Sequence, residues 1–232
     1  MKYLIPPSEG KAKIKGSGIK FKDTDFIYKK SVKEIVTLLE LIDDEDLTSI
    51  YGTSQEKSEL FHRQNEDVFN SSCAHAIERY TGIVYQNLDW QSFSDDQKKF
   101  MDKHFYIFSG LFGMVTPLTL IPNYKLKMNV LSLEHHWKDT LTKTLQDEDL
   151  VIDLLPQVHR KAYIPKNNVK KIDFIVIKKG KKSAAGHFGK AVKGQLIKYI
   201  VMNQITSIDQ FDQFDFDGFQ WDGEVFIKEH SS

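Results

Sequence analysis

His104-Phe105-Tyr106-Ile107-Phe108-Ser109-Gly110-Leu111-Phe112-Gly113-Met114-Val115-Thr116-Pro117 changes character halfway along, and the change organises the rest of the chain. Phe105 to Phe108 is apolar and aromatic, short enough for a buried strand and too short to demand a helix. Gly110, Gly113 and Pro117 follow at once, where the backbone must turn sharply or approach something closely. Such a turn presents amide N–H groups. The continuation, Leu118-Thr119-Leu120-Ile121-Pro122-Asn123-Tyr124-Lys125-Leu126-Lys127-Met128, has no helical period. Its prolines favour an extended path, while Tyr124, Lys125 and Lys127 supply a ring and two ammonium groups. The stretch reads as a rigid loop that shapes a site. It matches neither a dinucleotide fingerprint nor a phosphate-binding Walker loop.

The 232 residues, 41% hydrophobic and 28% charged, suffice for one well-packed core, so one domain over 1–232 is expected. The single cysteine, Cys73, cannot make an internal disulfide. Tyr3-Leu4-Ile5 is cut off by Pro6-Pro7 and is too short for a signal peptide, and no later apolar run approaches membrane-spanning length. A cytoplasmic protein with no membrane association is expected. Its formal charge is zero, yet Gln157 to Ile200 holds twelve Lys or Arg against one acid, Asp173. A local field of this kind acts over roughly 8–10 Å and can attract an anionic polymer although the whole molecule is neutral.

Lys2 to Ile5 reads as a first strand that empties into Ser8-Glu9-Gly10-Lys11, a hydroxyl, a carboxylate and an ammonium group at a sheet end. From about Phe26 to Tyr80 the pattern is helical, with Val32, Ile35, Val36 and Leu39 on one face and Thr53 or Ser54 as the cap of a second helix. His62, His75 and Glu78 lack the spacing of a ligand set, and no metal or cofactor is expected. Gly82 reads as a helix stop, with Arg79 complementing the helix end or facing the central loop, and Ile83-Val84-Tyr85 as a strand. Helices are expected near Asp95–Lys103 and Glu134–Leu145. Strands are expected at Leu150–Leu155, where Asp153 needs partners, and at Ile172–Ile177. A lysine-bearing hairpin turn at 178–182, a helix over Lys190–Met202 and a last strand near Glu224–Ile227 complete the chain.

Four segments in this order resemble the YaaA family, bacterial proteins associated with peroxide stress: Pro7 to Lys11, Arg79-Tyr80-Thr81-Gly82, the central loop, and the late strand–helix region. The first three carry the specific motifs. In the last, Leu154 and Lys161-Ala162 match the family pattern, and lysines at 190, 193 and 198 stand near the family's arginines. An arginine common in the family's central loop is Thr116 here. The resemblance implies a mixed α/β fold with a central mixed sheet surrounded by helices, a role in peroxide resistance, and a positively charged cleft that binds DNA.

Two functions follow. The first is a DNA-binding stress protein without strong sequence preference, contacting phosphates through Lys11, Arg79, Lys125, Lys161, Lys190, Lys193 and Lys198, with a monomer as the expected state. The second is an enzyme acting on a nucleoside, nucleotide or damaged base. Its pocket would be formed by the Ser8–Lys11, Arg79–Gly82 and Ser109–Met128 loops, with Ser8, Glu9, Tyr80, Thr81, Ser109, Gly110 and Tyr124 as lining candidates. No nucleophile–base pair or metal triad can be read from spacing, so no catalytic residue is assigned.

Overall fold

A computed structural model describes residues 1–230. In chain order its strands are β1 (Lys2–Ile5), β2 (Ala74–His75), β3 (Phe105–Ser109), β4 (Gly113–Val115), β5 (Leu120–Ile121), β6 (Val151–Asp153), β7 (Val169–Lys171), β8 (Phe174–Lys178), β9 (Lys181–Ala184), β10 (Gln220–Trp221) and β11 (Phe226–His230). The helices are α1 (Lys29–Leu39), α2 (Leu47–Tyr51), α3 (Gln55–Glu66), α4 (Ala76–Arg79), α5 (Ile83–Leu88), α6 (Asp95–His104), α7 (Leu133–Gln146), α8 (Gln157–Arg160) and α9 (Gly186–Met202), with short 3-10 turns between them.

The main sheet has the order β4-β3-β1-β6-β7, with β3, β1, β6 and β7 parallel and β4 antiparallel at one edge. Tyr3, Leu4 and Ile5 are fully buried, as a central strand covered on both faces requires. After β1 the chain crosses to β3 on one side, and after the β3–β4 hairpin it crosses back to β6 on the other. The carboxyl end of β1 is therefore a point where the winding reverses, and the crevice there is the usual ligand position in open α/β sheets. A second sheet, β10-β11-β8-β9, pairs β8 with β11 in parallel across nearly fifty intervening residues of sequence, and β2 pairs with β5 in a small ribbon.

Why these residues make these elements is clearest at four places. In α1, Val32, Ile35, Val36 and Leu39 bury one face at three- and four-residue spacing. Before α6, Ser94 and Gln97 form a reciprocal capping box. Between β8 and β9, Lys179 and Gly180 both have positive φ, which gives the two-residue turn of the expected hairpin. At Gly113 (φ +68°) a Cβ would fall 2.6 Å from the Trp137 ring, so a glycine is required for α7 to pack there. One continuous apolar core runs under all of these elements, from Tyr3 to Phe226.

The structure corrects two local readings. Ile83-Val84-Tyr85 is not a strand but the start of α5, and Gly82 (φ +97°) opens that helix instead of closing an earlier one. Val84, Tyr85 and Leu88 form a helical face buried against α9, and this tertiary burial outweighs the β preference of Ile, Val and Tyr. The helices cross at Gly194, where a Cβ would lie 2.4 Å from the Val84 carbonyl oxygen. The region 26–80, expected to be helical throughout, also contains β2. Ser54 does occupy the cap position of α3, though its side chain makes no capping bond.

Candidate functional site: a lysine cradle and a basic groove

Pro6-Pro7 carry the chain off β1 and over the sheet end, and the next four residues are fastened to the segment before α5. The Thr81 amide donates to Ser8 Oγ (2.9 Å) and to the Gly10 carbonyl (3.2 Å), and the Ala12 amide to the Arg79 carbonyl (2.7 Å). On the other side, the Tyr124–Met128 segment passes over Gly110 so closely that a Cβ there would sit 2.7 Å from the Leu126 oxygen. Asn65 holds this strap by two bonds, its Nδ2 donating to the Lys125 carbonyl (2.8 Å) and its Oδ1 accepting from the Lys125 amide (3.0 Å). The three expected loops thus meet. Two of them, with α8, enclose a cavity of about 110 Å³ lined by Ser8, Glu9, Lys11, Gly110, Tyr124 and Lys125 to Asn129, with Val158 and His159 closing one side, whereas Tyr80, Thr81 and Ser109, expected to line it, stand behind that lining. That is below the roughly 300–1,000 Å³ of pockets for drug-sized ligands, so it suits a small molecule and not a whole nucleotide.

The cradle's polar groups form one connected set. Ser109 Oγ donates to Tyr124 Oη (2.8 Å) and accepts from the Phe112 amide (2.9 Å), and Tyr124 and Tyr80 share a hydroxyl–hydroxyl bond of 2.8 Å. Burial pushes the Tyr124 phenol up to about 12 and the Tyr80 phenol well above its usual range, so both stay neutral. Lys11 Nζ lies 4.1 Å from the Tyr124 ring centre and 5.5 Å from that of Tyr80, with the Ser8 carbonyl at 3.3 Å. Burial, reinforced by the Lys125 charge and only partly offset by Glu9, lowers Lys11 to about 7. Glu9 spans the mouth, its carboxylate 3.2 Å from Lys127 and 3.5 Å from Lys125. Burial raises this carboxyl slightly, but the two lysines outweigh it and hold Glu9 below its usual range.

Beyond α8 lies a larger groove of about 620 Å³, lined by Leu155 to Gln157, Arg160, Asp173 to Ile175, Lys182 to Gly186, Gly189, Lys190 and Lys193. It opens beside the start of α9, where no side chain caps the helix. Arg160 is fixed in place. Its Nε donates to the buried Asp153 carboxylate (3.1 Å) and its Nη1 pairs with Asp173 (3.1 Å). Asp153 also accepts from the Tyr163 hydroxyl (2.6 Å) and the Leu155 amide (2.7 Å), the partners its place at the end of β6 required. Burial raises the Asp153 carboxyl, against the pull of Tyr163 and Arg160. Lys193 donates to the Leu154 carbonyl, and burial with the neighbouring Arg160 lowers it to about 8. His159, between the two cavities, is lowered to about 4 by burial and by Lys193, and its Nδ1 has no hydrogen-bond partner.

The seven basic residues expected at phosphates therefore separate. Lys190 and Lys193 line the groove, and Lys161 is exposed just after α8. Lys11 and Lys125 belong to the cradle. Lys198 pairs with Asp89 at 2.9 Å. Arg79 is almost fully buried, and its guanidinium donates to the backbone carbonyls of Ile121 (2.7 Å) and Ser72 (3.0 Å), tying β5 to the turn before β2. It neither caps a helix nor faces solvent. Sequence reasoning missed Arg160 and Lys182, which lie in the basic third without standing out from it, and Asn65, whose inward direction only the fold reveals. His62 bonds to Tyr51 and lies 3.4 Å from Glu66, and His75 bonds to the Leu118 carbonyl.

Among the described residues no helix is long and apolar enough to cross a membrane. A family profile described as "Peroxide stress protein YaaA" matches residues 1–225. A UPF0246 protein of Colwellia psychrerythraea is 31% identical over 213 residues, covering 85% of this chain and 80% of the relative. One from Finegoldia magna is 26% identical over 231 residues, covering 95% and 92%, and one from Streptococcus agalactiae serotype V is 26% identical over 203 residues, covering 83% and 84%. The match spans the cradle, the groove and the main sheet and ends just before β11, and the chain belongs to the YaaA family of peroxide stress proteins.

Proposed function

We propose that this peroxide stress protein acts by binding the sugar–phosphate backbone of DNA along the groove beside α9, as a cytoplasmic monomer and without reading base sequence. The observation that carries the reading is the groove's composition. Arg160, Lys182, Lys190 and Lys193 face one acid, Asp173, which is already paired with Arg160. The β8–β9 hairpin beside it extends the basic surface with exposed Lys178, Lys179 and Lys181. Exposed ammonium groups act as mobile point charges that neutralise phosphates and release counterions, and they carry no information about base identity. The uncapped start of α9 adds amide donors and the positive end of a helix dipole on the same side.

The test is fluorescence anisotropy with labelled duplexes of unrelated sequence across a salt series. Affinity is expected to fall steeply with salt and alike for all sequences. The K182E/K190E double variant is expected to weaken every duplex equally and to flatten the slope of log affinity against log salt by about two. Unchanged affinity in that variant would overturn the reading.

A further inference from the structure

The cradle holds a group that DNA binding does not use. Lys11, half-buried, reaches into a corner between two tyrosine rings with a single carbonyl as hydrogen-bond partner. Among the described residues no carboxylate lies within ion-pair distance of its Nζ, since Glu9 is taken by Lys125 and Lys127. A buried ammonium with no counter-ion and a second lysine nearby is held close to its neutral, nucleophilic form, which is how amine nucleophiles are prepared for carbonyl chemistry. Burial gives Lys11 a value of about 7, consistent with that environment. The cavity in front of it has room for a few heavy atoms, and its mouth already holds a carboxylate, that of Glu9, between two ammonium groups. Glu9 is itself exposed on a loop, so an incoming anion can take its place.

We propose that Lys11 is a carbonyl-reactive amine, and that the cradle takes a small aldehyde or 2-oxo acid whose anionic group replaces Glu9 between Lys125 and Lys127. The neutral amine adds its lone pair to the carbonyl carbon, and the nitrogen's proton passes to the carbonyl oxygen to give a carbinolamine. Loss of that hydroxyl with a proton, as water, leaves an imine on Nζ. Nothing is oxidised or reduced, and water reverses the step. The inference is independent of DNA binding, because none of these groups lines the groove beside α9.

The test treats the full chain with glyoxylate and sodium cyanoborohydride, whose hydride reduces the iminium to a stable secondary amine, and maps the adducts by peptide mass spectrometry from pH 6 to pH 10. Lys11 is expected to be modified first, with its rate half-maximal near pH 7. Exposed lysines such as Lys182 should lag well behind Lys11 at neutral pH. Lys11→Arg should remove the early adduct, and Glu9→Gln should speed reaction with glyoxylate severalfold relative to propanal, which has no anionic group. The wild-type map stands whether or not either variant folds. Adducts on exposed lysines with Lys11 unmodified, or Lys11 rising in step with Lys182, would overturn the proposal. Equal effects of Glu9→Gln on glyoxylate and propanal would overturn its anion-binding half.

Discussion

The cradle around Lys11 and the groove beside α9 stand on either side of one helical turn, α8, and use the same residue type in opposite ways. In the cradle, lysine is taken out of water, set against tyrosine rings and left without a carboxylate of its own. In the groove, Lys182 and Lys190 are exposed on a hairpin and on a helix start, while the single arginine is fixed by Asp153. Desolvation changes what an ammonium group is, whereas exposure preserves its charge for a partner that arrives from solution. Burial separates Lys11 from Lys182 and Lys190, although Lys193 at the back of the groove is buried too, and basic residues in a row reveal nothing of it.

The sharpest way to break the comparison is to remove the groove's anchor. Asp153→Ala leaves Arg160 without its buried partner, and breaking a pair of this kind costs about 3–5 kcal/mol. Urea unfolding should register that loss, and Lys11 labelling in the folded fraction should keep its low pH midpoint.

His159 sharpens it from the middle, because it lines the cradle from α8, the turn whose Gln157 and Arg160 line the groove. Its folded value of about 4 lies below the roughly 6.5 of an unfolded histidine, so between these pH values the unfolded chain binds the extra proton and the folded one does not. Stability should therefore fall as pH drops from about 6.5 to 4, by at most about 3 kcal/mol. His159→Gln should flatten that limb of a pH–stability curve. A curve unchanged by the substitution would mean that the imidazole is solvated.

Gly110→Ala acts on the cradle alone. The new Cβ would meet the Leu126 and Lys127 backbone at 2.7 Å, and overpacking of this kind costs about 1–3 kcal/mol. The strap bearing Lys125 and Lys127 should shift and the preference for glyoxylate over propanal should shrink, with DNA affinity unchanged. The smallest effect belongs to Lys198→Ala. Its pair with Asp89 is solvent-screened, and such surface pairs contribute little, so the thermal unfolding midpoint should barely move.

Much of the architecture was legible in the chain. The apolar runs of β1 and β3, the Lys179-Gly180 hairpin turn and the spacing of Val32, Ile35 and Leu39 follow from local physics that tertiary packing leaves in place. The Gly110–Gly113 turn reads as a site-forming loop, and in the structure Gly110 lies against the Leu126–Lys127 strap at the end of β3. Ile83 to Tyr85 failed because three β-preferring residues in a row conceal a helical face that exists only against α9. Arg79 illustrates a different limit. Its neighbours Tyr80 and Thr81 do reach the cradle, but the guanidinium turns inward to two backbone carbonyls, and no sequence pattern specifies that direction. The division of the lysines into cradle and groove was illegible for the same reason, since Lys11 and Lys190 differ in burial and not in local sequence.

The most direct test of the division between the two regions is residue-resolved reductive methylation of the lysines at neutral pH, with and without saturating duplex DNA. The account predicts that DNA slows labelling of Lys182 and Lys190 severalfold while Lys11 keeps its rate. If Lys182 and Lys190 label equally fast in the presence of DNA, the groove is not where the phosphate backbone lies.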